Sequence, residues 1–282
     1  TVPDIISGQV NVFNGTNPAN LPFPETARTT TIGFVWEPEF DVGNLLPTTI
    51  SFDYYQIEIE DYIDEPSGQE ALDMCYTLGI ASSCSGIVRI GGALGETGTG
   101  APAFFTNFEL FQAEGLDLHV ISGFDLASYG ELALNLTAHR YLANDFQTTA
   151  VSPVVDCKGV YGTSCDPVPE YRHTLRAMWL RNEIDASLLW RHIGEMDAQS
   201  NEASALFSAF RSVGAQDYFD LSIGYRYRDF GRVSLLITNL ANEDPPILGN
   251  ETGSTAFNSG NTFPSLFDTL GRTYSVNVKL TF

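Results

Sequence analysis

The chain has 282 residues, enough for one large domain or two small ones, and a formal net charge of −21. That charge excludes nucleic acid as a partner, because phosphate binding needs basic patches, and it sets the chain against an anionic membrane surface unless divalent cations bridge the two. Charged residues make up only 17%, below the roughly 25% usual in soluble proteins, yet no stretch approaches the ~20 apolar residues of a helical membrane span. A strand-built membrane protein escapes that last test, because only alternate residues face lipid.

Nine segments read as strands, near residues 26–37, 49–62, 105–125, 129–145, 170–182, 183–196, 216–228, 231–242 and 270–282. The second keeps alternation poorly, and a bulge is the expected cause. In the third, Leu116, Leu118 and Val120 alternate with Asp117, His119 and Ile121; in the fourth, Leu132, Leu134 and Leu136 alternate with Ala133, Asn135 and Thr137. The fifth alternates Leu175, Ala177 and Trp179 with Thr174, Arg176 and Met178. The seventh sets Phe219, Leu221, Ile223, Tyr225 and Tyr227 against Asp220, Ser222, Gly224, Arg226 and Arg228. The last sets Tyr274, Val276, Val278, Leu280 and Phe282 against Thr273, Ser275, Asn277, Lys279 and Thr281. Successive side chains of a strand point to opposite faces, so these segments carry one apolar and one polar face each. Tyr225, Tyr227, Trp179, Trp190, Tyr274 and Phe282 fall near strand ends, where an aromatic girdle would sit.

The links alternate in length. Short turns lie at Ala127-Ser128-Tyr129, at Asn182-Glu183 and at Arg228-Asp229-Phe230-Gly231, with a medium link between the first two strands; the links at 63–104, 146–169, 197–215 and 243–269 are long. Short periplasmic turns and long outer loops are the asymmetry of a transmembrane barrel, whereas a soluble sandwich has no reason to put every long loop at one end. Cys75 with Cys84 and Cys157 with Cys165 form two close pairs in long links, which predicts two local disulfides and an oxidising compartment. Thr1 stands where an initiator Met would, with no signal peptide after it, so the chain is expected to be processed, cleaved or incomplete.

Several segments resemble one family in order. Asn20-Leu21-Pro22-Phe23-Pro24-Glu25-Thr26, followed by Thr31-Ile32-Gly33-Phe34, resembles the lead-in to a barrel strand of TonB-dependent outer-membrane receptors. Ser51-Phe52-Asp53-Tyr54-Tyr55-Gln56-Ile57-Glu58-Ile59 is similar to the strand that follows it there, and Glu114-Gly115-Leu116-Asp117-Leu118 to a later one. Thr238-Asn239-Leu240-Ala241-Asn242-Glu243-Asp244-Pro245-Pro246 resembles the family's NL…PP element, and Leu270-Gly271-Arg272 through Phe282 its closing strand. The resemblance implies an all-β, antiparallel transmembrane β-barrel, with residues 1–282 supplying about nine C-terminal strands of a 22-stranded barrel whose plug domain is absent from this chain. Residues 1–25 would be an extracellular loop remnant, and a nick in that loop would account for the start at Thr1. The implied localisation is the bacterial outer membrane. The implied partners are the missing N-terminal barrel and plug polypeptide, the TonB complex acting through that part, outer-membrane lipid and lipopolysaccharide, and a small-molecule or oligomeric nutrient.

The implied function is active uptake of a scarce nutrient such as a metal chelate, glycan or peptide. The alternatives are a passive porin or surface-binding barrel, and a soluble secreted β-sandwich or enzyme. No G-x-S-x-G elbow or H-E-x-x-H helix occurs, and His173 and His192 have no carboxylate at a telling spacing, so no catalytic residue is expected. Asp117, His119, Asn135, Thr137, His139, Arg172, Thr174, Arg176, Asp185, Arg191, Asp220 and Arg226 form the candidate ligand- or plug-facing set, against the plainer reading of a solvated barrel wall. Tyr62, Tyr76, Phe104, Tyr161, Phe257 and Phe263 are candidate binding residues of the outer loops, where aromatic faces would grip a sugar ring or siderophore or else hold the loops together. No cofactor is expected and no metal site is assigned. The acids Glu60, Asp61, Asp64, Glu65, Glu70 and Asp73 match no EF-hand, which leaves Ca²⁺ in the acidic outer loops as the lesser reading beside a solvated loop.

Overall fold

A computed structural model describes residues 10–17, 21–39, 43–162, 164–199, 206–228, 230–248 and 261–280. Nine strands make its main sheet: β1 (Thr26–Trp36), β2 (Thr49–Glu60), β3 (Leu110–Asp125), β4 (Glu131–Gln147), β5 (Tyr171–Arg181), β6 (Ile184–Ile193), β7 (Gln216–Tyr227), β8 (Gly231–Thr238) and β9 (Thr273–Leu280). Each pairs with its neighbour in sequence, so the sheet is a meander from β1 to β9; the two-residue strand Val155–Asp156 adds to the end of β4. All nine predicted strands are present. The boundaries move where turn chemistry intervenes. Residues 127–129 form a 3₁₀ turn, so β4 starts at Glu131, and β8 stops at Thr238 because Asn239 and Asn242 take left-handed backbone angles. Asn182 and Arg228 take the same conformation in the two tightest turns. Asn tolerates that region better than most residues, which explains Asn182-Glu183 as a turn.

Register aligns the faces predicted strand by strand. One face carries the rows Leu132–Trp179–Ala186–Ile223–Leu235–Val276, Leu134–Ala177–Leu188–Leu221–Ile237–Tyr274 and Leu136–Leu175–Trp190–Phe219. Six strands thus contribute matched apolar side chains to a continuous surface. From Tyr227 to Phe219 this face runs about 27 Å along β7, or roughly 20 Å once the strands tilt by ~40°, close to the ~25 Å apolar band of an outer-membrane barrel. Nothing of the described chain covers it: Val276 is 68% exposed, and Tyr274, Val278, Leu188, Ile223 and Val233 are exposed as well. An apolar surface of this breadth needs a non-aqueous partner. The strand β2 is half-buried along both faces, in keeping with its poor alternation.

The chain divides into two compact units. One holds residues 1–29, 57–113 and 144–156. Its helix α1 (Gly68–Tyr76) begins with a capping box, in which Ser67 accepts from the Glu70 N–H and Glu70 accepts from the Ser67 N–H. A short helix α2 (Ala81–Cys84) follows, tied to α1 by the Cys75–Cys84 disulfide. Ala71, Leu72, Leu94 and Ala101 form the unit's small core, beside a parallel pairing of Val12–Gly15 with Ala101–Phe104. The other unit holds residues 30–56, 114–143 and 157–282, including the apolar rows above. Here the three later long links share one core of Tyr161, Met196, Ala198, Val213, Leu248, Phe263 and Phe267 around Tyr218 of β7. The Cys157–Cys165 disulfide closes the first of these links.

Candidate functional site

The face opposite the apolar one gathers the predicted polar set. Register places Asn135, Arg176, Leu189 and Asp220 in one row, Thr137, Thr174, Arg191 and Tyr218 in the next, and His139 beside Arg172 beyond them. Asp117 and His119 join from β3: His139 Nδ1 lies 2.7 Å from Asp117 Oδ1, and His119 Nε2 lies 3.2 Å from Asn135 Oδ1. Asp185 accepts from Arg232 Nη2 at 2.6 Å. Arg176 donates to Ser187 Oγ, while Arg172 and Arg226 stand exposed. The set predicted from alternation therefore shares one surface and is largely paired within it.

Two groupings on this face contain partners that the sequence reading did not name, Tyr55 beside His139 and Tyr218, Asn239 and Asp268 about Arg191 and Asp220. Tyr55 stacks over the His139 ring, with its hydroxyl 3.4 Å from His139 Nε2, completing a Tyr55–His139–Asp117 line. Gly115 makes room for it, since a Cβ there would meet the Tyr55 hydroxyl at 2.7 Å. The second group surrounds Arg191. Its guanidinium donates to both Asp220 oxygens, reaches Asp268 at 3.6 Å and covers the Tyr218 ring at 5.0 Å. Asp220 also accepts from the Asn239 N–H. Asp220 and Arg191 thus anchor the last long link at both of its ends. The signal available for Tyr55 was Gly115 opposite an aromatic; nothing local pointed to Asp268.

On the apolar side, His192 does have a carboxylate: Asp217 of β7 lies 2.8 Å from its Nδ1 and also accepts from Trp190 Nε1. The partner is 25 residues away in sequence and arrives only by strand pairing. His173 stacks on His192, so these imidazoles belong to an aromatic belt with Tyr171 and Trp190.

The loop aromatics divide. Tyr161 and Phe263 are fully buried and meet edge-to-face at 5.6 Å, and the Tyr161 hydroxyl donates to the Phe210 carbonyl at 2.7 Å. These two hold the loops together rather than face a ligand, because each covers the other. Burial pushes the Tyr161 phenol up to about 12, with the Asp197 charge adding to the effect. Tyr62 packs against Phe108 and Phe111; Tyr76 lies under Arg89 and accepts from its Nε; Phe104 is half-buried. Phe257 lies outside the described residues. Cys75, Cys84, Cys157 and Cys165 form the two expected disulfides.

Four of the six acids of 60–73, Asp64, Glu65, Glu70 and Asp73, accept hydrogen bonds from the protein. Glu65 accepts from the Gly15 N–H, Asp64 from the Glu65 N–H, and Asp73 from Gln69 Nε2 and Thr77 Oγ1. Among the described residues, no three His, Cys, Asp or Glu side chains gather to hold a metal ion.

The chain matches the family model described as TonB dependent receptor-like, beta-barrel, over residues 3–240. No curated protein sequence matches it. Among solved structures it resembles a mutant of the ferric enterobactin receptor of Pseudomonas aeruginosa in complex with enterobactin, at 15% identity and a TM-score of 0.55, over 92% of this chain and 32% of that one. It also resembles the FrpB iron transporter of Neisseria meningitidis (13% identity, TM-score 0.55, 95% and 33%). A third is the siderophore receptor PirA of Acinetobacter baumannii (12% identity, TM-score 0.53, 92% and 32%). The chain spans about a third of the length of each, and at these identities the likeness concerns the fold. The family match covers most of the sequence, and the two-faced meander is the wall such a barrel requires: the chain belongs to the TonB-dependent receptor-like β-barrel family.

Proposed function

We propose that this chain forms part of the wall of an outer-membrane active transporter, which binds a scarce nutrient outside the cell and passes it to the periplasm on energy supplied through TonB. The observation that carries this reading is the exposed apolar face backed by an ion-paired polar face, on a chain of a receptor and transporter family. Lipid would satisfy the first face and a watery, plug-filled interior the second. The chain binds and admits in this account; no bond of the nutrient is made or broken. The names of the similar structures bring iron chelates forward as one cargo class, beside glycans and peptides. The net charge of −21 works against a strongly anionic chelate.

The test uses the protein produced from its own gene in strains with and without TonB, supplied with radiolabelled ferric chelates and fluorescent oligosaccharides. The expected outcome is recovery in the outer-membrane fraction, dependence on detergent, and uptake lost without TonB. Uptake that persists without TonB identifies a passive porin. A monodisperse preparation without detergent removes both membrane readings.

A further inference from the structure

The unit formed by residues 1–29, 57–113 and 144–156 contains an open cavity of about 270 Å³, near the lower end of the ~300–1,000 Å³ usual for small-molecule sites. Its walls include Phe23, Asp61, Thr106, Asn107, Glu109 and Thr149. We propose that this cleft captures a neutral or cationic hydroxyl-rich ligand, a saccharide, on the outer surface of the protein; the placement outside the cell rests on the transporter reading above.

Three observations carry the inference. The first is an apolar ring held in the open. Phe23 is 54% exposed, yet it sits between Pro22 and Pro24, which restrict its backbone, and the Asn107 amide clamps it at two points. Asn107 Oδ1 accepts from the Phe23 N–H at 3.0 Å, and Nδ2 donates to the Phe23 carbonyl at 2.9 Å and to the Asp61 carbonyl at 2.7 Å. Glu25, two residues on, accepts from the Ile63 N–H and fixes the same segment again. An exposed aromatic needs no such anchoring for stability. A ring that must stack on the C–H face of a sugar gains from it, because the backbone that carries the ring has little entropy left to lose on binding.

The second observation is the chemistry around that ring. Asp61 and Glu109 line the cleft, their carboxylates without a hydrogen bond to any described side chain or backbone donor, and Thr106 and Thr149 line it with them, the Thr149 hydroxyl accepting from the Ser152 N–H. Carboxylates accept from adjacent sugar hydroxyls, and threonine hydroxyls both donate and accept. The third is the absence of any Lys or Arg from the described lining. Bringing an anionic ligand beside two acids with no compensating cation is disfavoured by simple repulsion. A bare metal ion is disfavoured for another reason, since the described acids do not converge in the number a hard cation needs.

The experiment measures calorimetric binding to the detergent-solubilised protein produced from its own gene. The probes are maltohexaose, xylohexaose and laminarihexaose (neutral), chitosan hexamer (cationic) and hexagalacturonate (anionic). At least one neutral or cationic hexamer is expected to bind about tenfold or more tighter than hexagalacturonate, and Phe23→Ala to weaken that binding about tenfold. Glu109→Gln, which keeps shape and backbone, should weaken it by a smaller factor and narrow the gap between chitosan and the neutral sugars. Outer-membrane yield and thermal unfolding equal to the parent protein certify each variant as folded. Binding of no hexamer, equal binding of hexagalacturonate, or full affinity in folded Phe23→Ala overturns the proposal. Such a result leaves the transporter reading standing if uptake still requires TonB. Conversely, sugar binding that is weakened in folded Phe23→Ala while uptake ignores TonB retains the cleft and removes the transporter.

Discussion

Single residues on the polar face are shaped around their neighbours across strands. Gly224 of β7 lies between Asp185 of β6 and Arg232 of β8, and a Cβ there would come within 2.7 Å of both the carboxylate and the guanidinium. Gly224→Ala should therefore cost about 1 kcal/mol despite the usual gain from replacing a strand glycine, because the ion pair must shift. The cost should shrink when Asp185→Ala is added, and a double-mutant cycle on unfolding in denaturant measures that coupling. Tyr161 provides a pH test. Its phenol titrates at about 12 in the fold against 10.0 as a free side chain, so the neutral form is the one the loop core favours. That contribution is complete below pH 10 and is lost as pH rises from 10 to 12. Thermal unfolding of the loop core should fall across this window in the parent protein, and the fall should be blunted in Tyr161→Phe.

At the level of elements, adjacent residues of one strand should respond oppositely to the same charge. Leu188 lies in the middle of the apolar face and Ser187 on the polar one. Leu188→Arg is expected to cost about 2–4 kcal/mol in the bilayer, whereas Ser187→Arg should be tolerated within about 1 kcal/mol. Outer-membrane yield and denaturant midpoint in liposomes check this contrast; equal effects would contradict the assignment of faces. Much of this was legible beforehand. Strand identity, the face of each residue from Asp117 to Arg226 and the site of each tight turn all follow from a period of two and from residues such as Asn182. The second strand shows little alternation to read, and both of its faces are half-buried.

At the scale of the whole molecule, stability is divided between a sheet held by backbone ladders and long links held by two local disulfides and small cores. Reduction of both disulfides should accordingly open the segments 68–84 and 157–165 to protease. Hydrogen-exchange protection in β5 to β8 should stay unchanged, since those strands bond to one another and to neither cystine. Proteolysis with mass mapping, run beside hydrogen exchange, tests this. Loss of sheet protection on reduction would show that the links support the wall.

Alternation and turn residues alone determined that this chain is a meander with one apolar and one polar face, because side-chain direction along a strand is set locally by the backbone. Tertiary structure decided the partners. Asp217 reaches His192, Asp268 reaches Arg191, and Tyr161 and Phe263 turn inward against each other because strand register and loop packing join segments far apart in sequence. The anchored Phe23 beside Asp61 and Glu109 likewise exists only once Asn107 has folded back upon it.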